Sequence, residues 1–366
     1  MEILQFEDST ILDDPPILKD PTTLKDSAKM KTYAMKTYAF ELSGEHETLP
    51  RSEALALLEI YSSGHQEIAF LDQCLIVVAR DLDASALGER LAMTHRIIEV
   101  MSICDANLDA LAEAANGLML PQKRYQVRAK RIKDAKPGAD KVEREVGRIL
   151  FRRGFKAELE TPEIVLRAII TAGKIILGQE VTITDRSSYE ARRPHLKPFF
   201  HPGVLMPRMA RALVNLSQAL PGERLLDPFA GTGGILVEAC LIGIEGTGIE
   251  VQKRLVKGAV CNVQGLDCCL MIGDAKRLPF KDASIDAAVL DIPYGRSALI
   301  EAESKEDLLV GGLAEIFRVL KPGKRMVLVA DSSVESQLAS AGFETLQEHT
   351  DRVHGSLTRH IFVAKR

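Results

Sequence analysis

With 366 residues, 46% of them hydrophobic, the chain is long enough for two or three domains with buried cores and reads as globular. No apolar run is long enough to span a bilayer, and the amino terminus MEILQFEDST lacks the basic-then-apolar layout of a signal peptide, so a cytoplasmic protein is predicted. A formal net charge of −4 argues against nucleic-acid binding by the chain as a whole, yet thirteen Lys or Arg stand against four acids between Lys123 and Lys156, a local +9 inside an acidic protein.

The first 34 residues (EDSTILDDPPILKDPTTLKD, then the repeated KTYAMKTYAF) predict a disordered extension, with Met30 and Met35 as candidate alternative starts. Order is expected to begin with a strand at Thr37 to Leu42. Ser52 is placed to cap a helix whose apolar positions are Leu55, Leu58 and Tyr61. Strands near Ile68 to Leu71, Leu75 to Ala79 and Arg96 to Met101 complete a small α+β unit.

The basic block follows. In YQVRAKRI, Tyr125, Val127 and Ala129 alternate with Gln126, Arg128 and Lys130, so one face of the strand is apolar and the other basic. In the next helix Val142, Val146, Ile149 and Leu150 form the core stripe, while Arg144, Arg148 and Arg152 recur every fourth residue on another face. Two neighbouring elements with basic outer faces point to phosphate contact over a merely solvated surface. Strands at Glu163 to Thr171 and Lys174 to Thr182 close this unit. The stretch DRSSYEARRPHLKPFFHPG then reads as a polar linker whose end docks through Phe199 and Phe200.

From Met206 strands and helices alternate, which predicts a doubly wound, Rossmann-like α/β domain. The stretch RLLDPFAGTGGILVEACLIG gives a strand ending at Asp227, a turn with Gly231, Gly233 and Gly234, then a helix. That loop suits NAD, a nucleotide or the carboxylate of an amino acid equally well. Asp227 either contacts a ligand amino group or fixes the loop. The second strand ends at Glu250, where a carboxylate can accept from both ribose hydroxyls, and the third ends in GDAKRLPF, with Asp274 placed to accept from an adenine amine. The fourth, an apolar run from Ile285 to Leu290, ends in Asp291, Ile292, Pro293 and Tyr294. The six cysteines (74, 104, 240, 261, 268, 269) show no Cys-x-x-Cys pair and no regular spacing with histidine, so neither a disulfide framework nor a metal site is expected.

Three acids at successive strand ends followed by Asp-x-Pro-Tyr resemble the S-adenosylmethionine-dependent amino-methyltransferases. Within that class, LLDPFAGTGGILVEA, FFHPGVLMPRMARALVNLS, DIPYGRS and HGSLTRHIFV look like the archaeal tRNA guanosine N2-methyltransferases that act on position 10. The resemblance implies an extension over 1–34, a ferredoxin-like domain over 35–102, a THUMP RNA-binding domain over 103–185, a linker over 186–200 and a catalytic domain over 201–366. It implies cofactor contacts from His201, Asp227, Phe229, Ala230, Gly231, Gly233, Glu250, Asp274, Ala275 and Asp291. Catalysis would fall to Asp291, Ile292, Pro293 and Tyr294, and RNA contact to Arg128, Lys130, Arg144, Arg148, Arg152 and Arg359. His201 lies over the methionine end of the cofactor or in a linker packed by aromatics. Arg352, His354, Ser356 and Arg359 make RNA contacts or are surface charge.

Ile292 departs from the family pattern, which has proline there. Two rival readings stay open: an amino-methyltransferase with another target (a different guanine N2, or adenine N6), and an RNA-binding relative without turnover. Some relatives work with a small zinc-binding activator protein at the edge of the third strand. Here that strand reads CCLMIGD, a bare apolar edge unless another element covers it.

Overall fold

A computed structural model describes residues 35–293, 305–354 and 357–366. The chain begins with β1 (Met35–Leu42), α1 (Leu49–Tyr61), β2 (Gly64–Leu71), β3 (Cys74–Arg80), α2 (Ala84–Arg90) and β4 (Thr94–Asp105). It continues through α3 (Leu108–Gly117), β5 (Tyr125–Arg131), α4 (Ala139–Arg152), β6 (Ile164–Thr171) and β7 (Lys174–Ile183). These seven strands form one sheet in the order β2-β3-β1-β4-β7-β6-β5. The boundary expected near 102 falls inside β4, which pairs with β1 on one side (Tyr38 opposite Glu99) and with β7 on the other (Asp105 opposite Lys174).

The first helix does not start at Ser52. It begins at Leu49 with Pro50 in its first turn, where a missing N–H costs nothing and the fixed φ favours helix, so Ser52 lies inside it and is buried. The Thr48 hydroxyl is engaged elsewhere, 2.7 Å from His349 Nδ1. Ala54, Leu57 and Leu58 fill the core, with Leu55 and Tyr61 packed against it.

A connection holding the short α5 (Ser187–Glu190) leads to α6 (Pro207–Leu216), β8 (Arg224–Asp227), α7 (Gly234–Cys240), β9 (Glu245–Glu250), α8 (Lys253–Asn262) and β10 (Cys268–Ile272). Then come β11 (Ala287–Asp291), α9 (Lys305–Val319), β12 (Arg325–Ala330), α10 (Glu335–Ser340), β13 (Glu344–His354) and β14 (Leu357–Lys365). The second sheet runs β10-β9-β8-β11-β12-β14-β13, parallel through β12 and antiparallel at the last two pairings. Its central strands are apolar on both faces: Ala287 and Val289 join one core, Ala288 and Leu290 the other. Strand order reverses between β8 and β11, and a crevice opens there at the carboxyl ends of the strands.

Buried polar groups fix the two sheets to one another. The Glu53 carboxylate accepts from Ala92 N (2.9 Å), Met93 N (2.8 Å) and Asn215 Nδ2 (2.7 Å), while Arg90 Nε donates to Asn215 Oδ1 (2.9 Å). This buried network favours one relative placement of α1 and α6, because breaking the Glu53 or Arg90 contacts strands a buried charge. Among the described residues no helix is long and apolar enough to cross a membrane.

Candidate active site

The turn after β8 is held open by glycine. Gly231 and Gly233 take φ of +50° and +78°, and a Cβ on Gly233 would approach Val263 Cγ1 to 3.2 Å. Glu250, at the end of β9, braces this turn: its carboxylate accepts from Gly231 N (3.0 Å) and Gln252 N (2.9 Å). Asp227 accepts from Phe229 N (3.1 Å) and Asp274 from Lys276 N (2.9 Å), so three strand-end acids are oriented by backbone donors.

Asp291 is different. It ends β11, and its Oδ1 is buried with no hydrogen-bond partner among the described residues. Ile292 follows, buried in the second core, and its N–H donates to Val329 O at 3.0 Å. Proline at this position could not make that bond. Ile292 therefore replaces the stiffness of a ring with one more rung between β11 and β12. Tyr294 and Ser356 lie outside the described residues.

One cleft of about 330 Å³ gathers these groups. Asp227, Phe229, Ala230, Gly231, Glu250, Asp274, Ala275, Asp291, Ile292 and Pro293 all line it, as does His201, whose Nδ1 is 2.9 Å from Pro202 O. Gly233 shapes the turn without lining the cleft. The linker reaches the rim through Phe199, which packs so closely on Gly258 of α8 that a Cβ there would come within 2.1 Å of the ring. Asn262 clamps it: Phe199 N donates to Asn262 Oδ1 (3.0 Å), and Asn262 Nδ2 donates to Phe199 O (2.9 Å) and Thr232 O (3.0 Å). Sequence reasoning missed this asparagine, because its partners lie 63 and 30 residues away.

Four carboxylates on one cleft set its electrostatics. Burial pushes Asp227 well above the usual carboxylate range, opposed by the Phe229 N–H and reinforced by the charges of Asp291 and Glu250. Burial also pushes Asp291 up to about 7, opposed by the positive charge of Arg359. Lys276 also lines the cleft, with its Nζ 2.6 Å from the Asp307 carboxylate. Such a site repels the phosphates of NAD or a nucleotide. It fits a nucleoside without phosphate that carries positive charge, with apolar Ala230, Val251, Leu255 and Ala275 beside the acids to take a base. S-adenosylmethionine has this composition, and the orphaned Asp291 Oδ1 still lacks a donor.

The expected RNA contacts lie elsewhere. Arg128 and Lys130 are exposed on β5, the outer strand of the first sheet, and no acid stands within ion-pair distance of either among the described residues. On α4, Arg152 is exposed, Arg144 pairs with Asp140 and Arg148 with Glu145. Arg359 is not with them. It sits on β14 with its side chain only 11% exposed, 3.7 Å from the Asp351 carboxylate.

The family model described as RMKL-like, methyltransferase domain matches residues 194–361. The tRNA (guanine(10)-N2)-dimethyltransferase of Methanothermobacter thermautotrophicus is 32% identical over 331 residues, covering 89% of this chain and 98% of that one. The tRNA (guanine(6)-N2)-methyltransferase of Thermus thermophilus is 30% identical over 67% of this chain and 75% of its own. The crystal structure of TrmN from Thermus thermophilus superposes with a TM-score of 0.52 at 22% identity, covering 90% of this chain and 99% of that one, a likeness of fold. By its identity and its coverage of these relatives, the chain is an S-adenosylmethionine-dependent methyltransferase of the tRNA guanine-N2 methyltransferase family.

Proposed function

We propose that the protein transfers one or two methyl groups to the exocyclic N2 of guanosine 10 in tRNA. The observation that carries this reading is the end of β11, where Asp291, with a buried and unsatisfied carboxylate oxygen, and Ile292 line the same cleft side by side. A guanine amine is a poor nucleophile because its lone pair is delocalised into the ring. If the Asp291 carboxylate and the Ile292 carbonyl each accept one N–H, the nitrogen is held with its lone pair free to point along the transfer axis. Bound S-adenosylmethionine supplies the electrophilic methyl. Glu250 would hold its ribose, Asp274 and Ala275 its adenine, and Asp227, His201 and the amino end of α7 its methionine part. The nitrogen turns acidic only as it gains the methyl, so Asp291 serves as the proton acceptor afterwards and no strong base is needed before. Since the base comes from a folded RNA, it must leave its stack to enter.

The first sheet supports the RNA side of this reading. Val127 and Ala129 pack in the core with α4, so Arg128 and Lys130 stand on the face of β5 away from that helix; with Arg144, Arg148 and Arg152 on α4 they offer basic surface suited to phosphates on both sides of the sheet. In this reading 35–102 is a ferredoxin-like module, 103–185 a THUMP module on the same sheet, 186–200 the linker and 201–366 the catalytic domain, with 1–34 as an extension outside the described residues. The second sheet ends at β10, where Cys269 and Ile272 are exposed. A small zinc-binding activator that adds a strand would use that edge. Co-expression with such a partner should raise solubility and activity, and a soluble, fully active chain that the partner does not stimulate would exclude it.

Nucleoside analysis tests the main reading. Unmodified tRNA incubated with methyl-labelled S-adenosylmethionine should yield labelled N2-methylguanosine or N2,N2-dimethylguanosine on digestion. Label in N6-methyladenosine would overturn it.

A further inference from the structure

Arg359 is out of place for a surface cation. Its side chain is 11% exposed, its cross-strand neighbour on β13 is Asp351, and the strand register puts it at the active-site end of the second sheet. Asp291 lies opposite Val329, and Val329 lies opposite Ile361. Side chains alternate along a strand, so Arg359, two residues before Ile361, shares a face with Ile361, Val329 and Asp291. Val289, Val329 and Ile361 on this face belong to one core, which confirms the alternation. Neighbouring strands are about 4.8 Å apart, so two spacings across β12, about 10 Å, and a two-residue offset along β14 separate the backbones of Arg359 and Asp291, a gap that a long, largely buried side chain narrows.

We infer that Arg359 is a positioning residue for methyl transfer: it faces Asp291 across β12, is held there by Asp351, and keeps the Asp291 carboxylate anionic so that it can accept from the target amine. This rests on the function proposed above. The physical need is plain. A carboxylate with an orphaned buried oxygen tends toward its neutral form, and a neutral carboxyl is a weaker acceptor for an amine proton. Among the described residues, the charged groups near Asp291 include Asp227 at the end of β8, with Glu250 behind it on β9, Asp331 just after β12, and Arg359 on β14. All of these but one are acids, so Arg359 supplies the opposing charge. Behind it stand Asp351 and then His349, which meets Thr48 and His46 in the loop before α1. His349 is held neutral by burial, its pKa lowered to about 4, and so adds no charge of its own near neutral pH.

The test is the pH profile of single-turnover methyl transfer, from pH 5.5 to 9, with saturating S-adenosylmethionine and a tRNA transcript carrying guanosine 10. The wild type, Arg359→Met and Arg359→Lys are compared, with Asp351→Asn as a milder variant should the methionine fail to fold. Loss of the positive charge should move the acidic limb up by about one pH unit, cut the rate at pH 7 about fivefold and leave the rate at pH 9 nearly unchanged. Arg359→Lys should keep the wild-type limb, and Asp351→Asn should move it part of the way. Two results overturn the inference: an unmoved limb with weaker, less salt-dependent tRNA binding, which makes Arg359 a phosphate contact, or an equal loss at every pH, which makes it structural. If the wild type methylates no guanine at all, the proposed function itself fails, an outcome separate from either.

Discussion

On β5 and α4 the cations point to water, Arg128 and Lys130 without an acid in ion-pair reach among the described residues, whereas Asp227 and Glu250 at the ends of β8 and β9 are buried, Asp227 only 1% exposed, and Asp291 at the end of β11 is half-buried with its Oδ1 shut off from water. The two placements do different work. An exposed charge acts at range, sums with its neighbours and fades with salt. A buried charge acts through position, and its protonation is set by what surrounds it. Substitutions in the first region should therefore change how tightly RNA is held and leave the chemistry alone. Substitutions in the second should do the reverse.

The sharpest way to break this contrast is Asp291→Ala. It should cut single-turnover methyl transfer at least about a hundredfold, the scale of losing one preorganised polar group at a reacting atom, while isothermal titration finds cofactor affinity near wild type. Full activity in the variant would remove the mechanism. Glu250→Ala comes next and should act on binding instead, weakening S-adenosylmethionine by about 1 to 3 kcal/mol as its hydrogen bonds are lost. Its effect includes the glycine turn, since Gly231 N and Gln252 N lose their acceptor too.

In the first region, reversing Arg128 and Lys130 together to Glu should weaken tRNA binding and reduce the slope of log affinity against log salt by roughly two, with the rate at saturating tRNA unchanged. The same reversal at Arg144 and Arg148 should do less, because each is already paired with an acid on its own helix. A slope that stays the same in both double variants would mean that neither element touches RNA.

The smallest effect concerns stability. Burial raises the Asp291 carboxyl to about 7 in the folded protein, above its range in an unfolded chain, so its contribution to stability is lost as pH rises through 7. Asp291→Asn stays neutral throughout. At pH 5.5 Asp291 is already ionised in the unfolded chain but still mostly protonated in the fold, so thermal melts should show Asp291→Asn gaining on wild type between pH 5.5 and about 7 and keeping that gain of a few degrees to pH 8.5. Asp227, raised in the same direction, is common to both proteins and cancels. A gap that is the same at both pH values would contradict the assigned burial.

The acids were legible because each follows a short apolar run, and a strand buried on both faces announces its end through the first polar residue. Asp227, Glu250, Asp274 and Asp291 could be read that way one strand at a time. Arg359 could not, since its place depends on β14 inserting between β12 and β13 in one register, a fact no local pattern carries. The single first sheet was hidden for the same reason: β4 and β7 pair across about seventy residues of chain. Helices α2 and α3 escaped because both are short and rich in alanine, with only one large apolar residue in each (Leu87 and Leu111) fully buried. The Ile292 departure reads as a loosened backbone in sequence. In the structure its N–H closes a rung with Val329, which only the free amide of a non-proline residue allows.

The most direct test of the account uses tRNA transcripts that differ at one nucleotide. Wild-type protein and Asp291→Ala are each given labelled S-adenosylmethionine with a transcript carrying guanosine 10, a second in which that guanosine is replaced by adenosine, and a third in which guanosine 6 is replaced instead. The account predicts label in the first and third with wild type, none in the second, and at least about a hundredfold less in any with the variant. Label that follows guanosine 6, or label undiminished without the Asp291 carboxylate, would contradict it.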